Sequence, residues 1–160
     1  IDEIKQIIKY SKYPPEGNRG FSPYTRAGNY SKDSSKSLFE ESNNNTLVAI
    51  NIEGLDAIEN IEEILSVNEL DIVFIGTYDL SKSLGIPGEV SNPRIQKTLI
   101  ELTERINASG KVAGTIATDI NQIDTYLDMG MKYIVYLVDC YLLKKGYVEA
   151  TTYFKNAIVK

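Results

Sequence analysis

The chain has no histidine, a single cysteine and no long apolar stretch, and each of these features excludes a class of function. Without histidine, the chain lacks the commonest general base and cannot form a His-containing catalytic triad. With Cys140 alone, it can form neither an intrachain disulfide nor a thiolate cluster for zinc. A metal site in this chain would therefore have to use oxygen ligands, which suit hard cations.

The apolar runs are only as long as a β-strand and no signal-like segment opens the chain, so we expect neither membrane insertion nor export. Seventeen basic and 22 acidic side chains give a net charge of −5, and the lysines are scattered. This distribution argues against nucleic acid as a partner. With 160 residues and 42% hydrophobic side chains, we expect a single domain in a cytoplasmic protein.

The apolar pattern predicts an N-terminal section followed by alternating strands and helices. Residues 1–45 are expected to form a leading helix over Ile1–Tyr10, a long loop over Glu16–Tyr30 and a polar helix from about Lys32 to Ser42. Residues 46–160 are expected to form four strand–helix units. The predicted strands are Thr46–Ile52, Asp71–Ile75, Lys111–Ile116 and Lys132–Val138. Three of the predicted helices are Leu55–Val67, Pro93–Ser109 and Tyr141 to about Ile158. A further helix is expected to begin at the capping pair Asp119 and Gln122 and to end at Gly130.

Each predicted strand is almost continuously apolar, which is typical of parallel strands that helices cover on both faces. Four such units are about half of a (β/α)₈ barrel. The sequence therefore predicts an α/β fold that is the C-terminal half of a TIM barrel, with a small open sheet as the alternative. Because an isolated half-barrel has open strand edges, we expect a homo-oligomer or association with a missing N-terminal half, whereas a complete open sheet could stay monomeric.

Two carboxylates occupy corresponding places after predicted strands: Glu53 follows the first strand and Asp79 comes shortly after the second. Ligands bind at the carboxyl edge of parallel strands, so these two acids could converge on one divalent cation. From pattern alone, helix capping or a surface ion pair is the commoner role, and Asp79 could cap a short helix that runs to Leu84. Cys140, at the end of the last predicted strand, is expected to be an inert core residue.

Four blocks of sequence carry a family resemblance, namely Tyr13–Gly20, Ile50–Glu53, Ile72–Ser81 and Gly110–Gly114. In order and spacing they resemble blocks of the 2,4-dihydroxyhept-2-ene-1,7-dioate aldolase family, metal-dependent pyruvate aldolases related to the citrate lyase beta subunit. The resemblance covers essentially the whole chain but only the C-terminal part of the family. It implies a TIM barrel that binds phosphoenolpyruvate or pyruvate. In that family Mg²⁺, Mn²⁺ or Co²⁺ stabilises the pyruvate enolate that adds to, or is released from, an aldehyde.

By the same resemblance, Glu53 and Asp79 match the family's two metal ligands. The residues that it implies at the substrate are Asn51, Gly76, Thr77, Tyr78, Ile116 and Arg19. Asn51 stands where the family often has glutamine, and Ile116 is expected to line the apolar side of the pocket for the aldehyde. Arg19 lies in a bordering loop and is equally expected to hold that loop together.

The resemblance assigns no catalytic residue to this chain, because the family's catalytic histidine and pyruvate-orienting arginine lie upstream of the matched region. Three functions therefore stay open. The first is reversible cleavage of a 4-hydroxy-2-oxo acid to pyruvate and an aldehyde, with machinery that is incomplete in this chain alone. The second is a non-catalytic half-barrel, a subunit or fragment that assembles with a partner chain. The third is another carbon–carbon lyase or phosphoenolpyruvate-utilising enzyme of the same superfamily.

Overall fold

A computed structural model describes residues 1–31 and 35–158 of the chain. Before the sheet, helix α1 spans Asp2–Ser11, a 3₁₀ helix spans Arg26–Ser31 and helix α2 spans Ser35–Asn45. The predicted leading helix and the loop after it are therefore present. The predicted start of the polar helix at Lys32 falls outside the described residues, and that helix continues three residues beyond the predicted end.

The four strands form one parallel sheet in the order β1-β2-β3-β4. They are β1 Ala49–Ile52, β2 Ile72–Ile75, β3 Val112–Ala117 and β4 Tyr133–Tyr136. All four predicted strands are confirmed, with ends that differ from the predicted ones by at most three residues. Consecutive strands are neighbours in the sheet, as in a barrel or part of one.

The described helices after the strands are α3 Leu55–Glu59, α4 Ile61–Leu65, α5 Thr77–Ser83, α6 Pro93–Ala108, α7 Asn121–Asp128 and α8 Asp139–Ile158. The single helix predicted over Leu55–Val67 is wrong, because two short helices meet there at Asn60. The Asn60 side chain donates from Nδ2 to the carbonyl of Asp56 at 2.7 Å. Asparagine competes in this way with the helical backbone, which explains the break.

Chemical signals at the other helix ends are confirmed. Asn92 caps α6, because its Oδ1 accepts a hydrogen bond from the Arg94 N–H at 3.0 Å. Gly110 ends that helix with φ +81°, a conformation that glycine adopts without strain. Before α7, the Gln122 Oε1 accepts from the Thr118 N–H at 2.7 Å. Local capping chemistry therefore sets these boundaries.

The core lies between one face of the sheet and the helices. Its buried strand residues are Ile52, Val73, Ile75, Ala113 and Ala117, and its buried residues from the helices include Ile4, Ile8, Ile61, Leu80, Leu99, Leu102 and Ile106. Side chains alternate between the two faces of a strand, and Ala49 and Asn51 on the opposite face of β1 are exposed. The expectation that both faces are buried is therefore wrong for β1, because the described helices pack on the other side.

An aromatic pair covers part of the open face of the sheet. The register aligns Phe74, Gly114 and Tyr133 in one row, and the rings of Phe74 and Tyr133 lie 6.1 Å apart in an edge-to-face arrangement. A Cβ atom on Gly114 would lie 2.8 Å from Cβ and Cδ1 of Tyr133. The glycine therefore lets the tyrosine ring lie across β3 toward Phe74.

Helix α8 is 20 residues long and none of its described residues is buried. Cys140 lies in its first turn and is exposed, so the expectation of a core cysteine is wrong. The cause is that no described residue of α8 is among the core residues or the half-buried apolar residues that pack on them. Neither α8 nor any other helix within residues 1–31 and 35–158 has the length and apolarity that a bilayer crossing requires.

Candidate functional site

The ends of β1 and β2 bring Glu53 and Gly76 side by side. Ile52 of β1 pairs with Ile75 of β2 in the parallel register. Glu53 and Gly76 are the residues that directly follow these two strands. The Gly76 N–H donates to the carbonyl of Ile52 at 3.0 Å, so the pairing continues one residue beyond β2. Both residues therefore lie at the carboxyl edge, where parallel sheets bind ligands.

The Glu53 carboxylate leans over Gly76. A Cβ atom built on Gly76 would lie 2.8 Å from Oε2 of Glu53 and 3.1 Å from its Cβ. Asn51 donates from Nδ2 to the same Oε2 at 3.1 Å. The hydroxyl of Ser83, at the end of α5, lies 3.1 Å from the backbone carbonyl of Glu53 and 2.9 Å from that of Leu80, and its one proton is shared between these two acceptors. The side chain and the backbone of Glu53 are thus both held at this edge.

Asp79 is the third residue of α5, which begins at Thr77 directly after Gly76. Its carboxylate is 59% exposed, and its Oδ1 lies 3.9 Å from Nζ of Lys82. Gly76 is the N-cap of α5 and makes no side-chain capping bond, so Asp79 is not the capping residue. The structure therefore places two exposed acids at the ends of neighbouring, paired strands.

The donor set fits a hard divalent cation. Glu53 and Asp79 offer carboxylate oxygens, and the space that a Cβ of Gly76 would fill is where the Glu53 carboxylate lies. Within the described part of the chain there is no group of three or more His, Cys, Asp or Glu residues that could hold a metal. Mg²⁺ commonly uses one or two protein carboxylates and completes its shell with water or substrate oxygens.

Ile116 is on the same face of the sheet as these groups. The register aligns Ile52, Ile75 and Thr115, so the next position of each strand brings Ile116 level with Glu53 and Gly76. Ile116 is half-buried and apolar. Its predicted place beside the acids therefore agrees with the strand register, while its contact with an aldehyde stays a prediction.

Arg19 has a different environment. Its guanidinium carbon lies 4.8 Å from the ring centroid of Tyr13, and its Nη1 donates to Oγ of Ser42 at 3.5 Å. The Tyr13 ring stacks on Phe39 at 4.4 Å. Because Ser42 lies in α2, which leads to the start of β1, these contacts place Arg19 toward the amino edge of the sheet. They support the alternative that Arg19 holds its loop together, and its contact with substrate stays a prediction.

Sequence reasoning did not single out Ser83 or Tyr126 as part of this region. Tyr126 of α7 is 5% exposed; burial raises its pKa, and the nearby Tyr78 raises that pKa further. Tyr78 itself is half exposed in the first turn of α5. Nothing local to the sequence marks these contacts, since each joins elements that are distant along the chain.

A cleft of about 600 Å³ lies at the opposite edge, where the four strands begin. Two of its charged side chains, Lys111 and Asp71, form hydrogen bonds within the fold. Lys111 donates from Nζ to the carbonyls of Val67 and Leu70 at 2.6 and 3.0 Å. Asp71 accepts from the Val48 N–H at 2.7 Å. The two predicted metal ligands, Glu53 and Asp79, lie at the carboxyl edge and do not line this cleft.

A parallel sheet whose strands are followed by helices, with two acids at its carboxyl edge, is typical of a β/α protein of the barrel class. Residues 1–144 match the family described as HpcH/HpaI aldolase/citrate lyase, and the chain belongs to that family. This confirms the family resemblance that the four sequence blocks predict.

Two curated relatives illustrate the match. The 2-keto-3-deoxy-L-rhamnonate aldolase of Klebsiella pneumoniae is 31% identical over 156 residues, which are 97% of this chain and 58% of that protein. The hydroxypyruvate/pyruvate aldolase of Roseobacter denitrificans is 32% identical over 143 residues, which are 89% of this chain and 55% of that protein. The chain thus spans somewhat more than half the length of these relatives.

Solved structures agree on the fold. An HpcH/HpaI aldolase from Desulfitobacterium hafniense superposes with a TM-score of 0.85 at 24% identity, over 92% of this chain and 57% of that one. A family member from Burkholderia cenocepacia superposes with a TM-score of 0.84 at 21% identity, over 96% of this chain and 61% of that one. The predicted α/β fold, with four parallel strands followed by helices as in TIM-barrel-like aldolases, is confirmed.

Proposed function

We propose that this chain carries the metal-binding edge of a pyruvate aldolase, which reversibly cleaves a 4-hydroxy-2-oxo acid to pyruvate and an aldehyde. One observation carries the proposal. Glu53 lies over Gly76 at the paired ends of β1 and β2, and Gly76 directly precedes the first turn of α5, which contains Asp79. Family membership and two relatives named as aldolases of keto acids support the same chemistry.

Glu53 and Asp79 would hold the divalent cation, which is Mg²⁺, Mn²⁺ or Co²⁺ in our proposal. When bound, such a cation supplies positive charge that stabilises the enolate of pyruvate. The backbone of Gly76, Thr77 and Tyr78 would face the carboxylate of the substrate. Gly76 has no side chain, and the space that its Cβ would fill is taken by the Glu53 carboxylate.

Cleavage breaks the C3–C4 bond of the 4-hydroxy-2-oxo acid. The 4-hydroxyl group loses its proton, C4 becomes the aldehyde carbon, and the electron pair of the broken bond forms the enolate, which takes a proton at C3 to give pyruvate. The apolar side chain of Ile116 would contact the aldehyde part. We assign no proton acceptor to this chain, which has no histidine to offer.

Calorimetric titration with Mn²⁺ tests the metal site. The wild-type chain is expected to bind Mn²⁺ weakly, and Asp79→Ala is expected to abolish that binding, because it removes one of two acidic ligands. Asp128→Ala is the matched control, since Asp128 is an exposed acid at the other end of a helix, α7. Unchanged Mn²⁺ affinity in Asp79→Ala would refute the assignment.

A second candidate function is assembly, in which this half-barrel is a structural subunit. Helix α8 leaves large apolar side chains exposed, among them Tyr147 and Phe154 at 68% and 64%. In addition, β1 and β4 are the outer strands of the described sheet, and Ala49 and Asn51 face solvent. We propose that these surfaces pack against a second copy or against a chain that completes the barrel.

Light scattering after size-exclusion chromatography separates the assembly candidate from a monomer. The chain has a mass of 17.9 kDa, so a complex of two copies would have twice that mass. Phe154→Glu is expected to weaken an association that uses α8. A wild-type chain that is monomeric at high concentration would contradict the assembly candidate.

Pyruvate formation from candidate 4-hydroxy-2-oxo acids separates aldol cleavage from another carbon–carbon lyase or a phosphoenolpyruvate-utilising reaction. The cytoplasm stays the proposed location on the sequence argument alone.

A further inference from the structure

Glu53 requires help to act as a ligand at an exposed edge. Its side chain has three rotatable bonds, and ordering such a side chain costs conformational entropy. Two of the described contacts restrict the side chain, and a third involves the backbone of the same residue. Gly76 lies beneath the carboxylate, Ser83 holds the backbone carbonyl, and Asn51 donates to Oε2.

The contact from Asn51 is a direct consequence of strand geometry. Residues 51 and 53 are two apart along an extended chain, so their side chains point to the same face of the sheet. An ionised carboxylate only accepts hydrogen bonds, and the amide therefore presents its N–H group and not its carbonyl oxygen. The Nδ2 to Oε2 distance of 3.1 Å is that of a hydrogen bond.

We infer that Asn51 is a positioning residue for Glu53. Its neutral amide holds one carboxylate oxygen and leaves the other, Oε1, to bind the cation. A lysine at this position would also donate to the acid, but its charge would repel a divalent cation. The inference rests on the proposed function, and it gives Asn51 a role that acts through the acid and requires no contact with substrate.

The test uses Mn²⁺ titration calorimetry on the intact chain and two substitutions of the same residue. Asn51→Leu keeps the approximate size of the side chain and removes the donor, while Asn51→Gln keeps an N–H donor. Loss of a residue that orients a metal ligand typically weakens metal affinity by about tenfold or more. We expect that loss in Asn51→Leu and an affinity close to wild type in Asn51→Gln. Both variants should keep the wild-type melting temperature, because Asn51 is exposed.

Glu53→Gln and Glu104→Gln separate this inference from the proposed function. Glu104 is an exposed acid of α6 and its substitution should leave Mn²⁺ binding intact, whereas Glu53→Gln should remove it. If Glu53→Gln loses Mn²⁺ but Asn51→Leu binds it as wild type does, the positioning role is overturned and the metal site stands. Equal weakening in Asn51→Leu and Asn51→Gln would also overturn it, because a donor alone would not suffice. A wild-type chain that binds no Mn²⁺ overturns both proposals.

Discussion

Replacing Gly76 with alanine is expected to weaken metal binding while the chain stays folded. The new methyl group would lie 2.8 Å from Oε2 of Glu53 and 3.1 Å from its Cβ, which is too close for either contact. The end of the glutamate side chain is the part that can move, because it lies at an exposed edge. Gly76→Ala should therefore push the Glu53 carboxylate out of the place where it is now held.

The expected change in stability is small. Gly76 has φ −79° and ψ 92°, which alanine adopts without strain, and the loss of glycine's freedom in the unfolded chain favours folding by about 0.4–1 kcal/mol. Against this stand a less favourable N-cap residue and a crowded contact, which together cost about 1–2 kcal/mol. We therefore expect the free energy of unfolding to fall by about 1.6 kcal/mol at most. Displacing a metal ligand should weaken Mn²⁺ binding by about tenfold or more, equivalent to about 1.4 kcal/mol.

Gly54→Ala is the matched control. Gly54 directly follows Glu53 and, like Gly76, is the N-cap of a helix with negative φ, here −113° before α3. A Cβ on Gly54 would meet no atom within 4 Å. Calorimetry with Mn²⁺ and thermal unfolding of both variants thus separate the contact with Glu53 from the general effect of alanine at an N-cap.

The result that would refute this reasoning is an equal Mn²⁺ affinity in Gly76→Ala, Gly54→Ala and the wild type. That outcome would mean that the Glu53 carboxylate can move away from Gly76 without any change in the Mn²⁺ affinity of the chain. A large loss of stability in Gly76→Ala alone would also contradict the argument, because it would show that Glu53 cannot move aside.

Two further predictions concern stability. Asn43→Ala should lower the free energy of unfolding by about 2 kcal/mol, because the buried Asn43 amide accepts from the Tyr13 N–H at 2.7 Å and donates to the Tyr13 carbonyl at 2.9 Å. Chemical denaturation beside the exposed control Asn44→Ala measures this loss, and equal midpoints would contradict the bridging role. Burial raises the pKa of Tyr126 above its ordinary value of 10.0, and Tyr78 adds a smaller effect in the same direction. The neutral phenol therefore contributes its full stability below about pH 10, and this contribution is lost as the pH rises further. Wild type should therefore lose more stability than Tyr126→Phe from about pH 10 upward in denaturation at several pH values, and parallel losses would count against burial of the phenol.

Much of the fold follows from chemistry that is local in the chain. Short apolar runs predict the four strands, and Asn92 and Gly110 predict the ends of α6, because a cap acts on backbone groups a few residues away. The break at Asn60 was also local, but the apolar spacing on both sides concealed it. The positions of Glu53 and Asp79 after their strands could be predicted for the same reason.

What could not be predicted depends on which distant elements pack together. The exposure of Cys140 follows from the position of α8, none of whose described residues belongs to the buried core. The contact of Arg19 with Ser42 joins a loop to a helix that follows it. An apolar side chain can lie in the core or on the surface of a protein. Composition alone therefore does not show whether a helix such as α8 is buried or exposed.

The amino-acid sequence by itself determined the order of strands and helices, the family and the two acids that follow neighbouring strands. These depend on side-chain periodicity and on chain neighbours. Only the tertiary structure decided that Glu53 lies over Gly76, that Asn51 donates to it, and that the helices cover one face of the sheet. The physical reason is that strand pairing brings together residues more than 20 positions apart, and their distance in space is set by the register of the sheet.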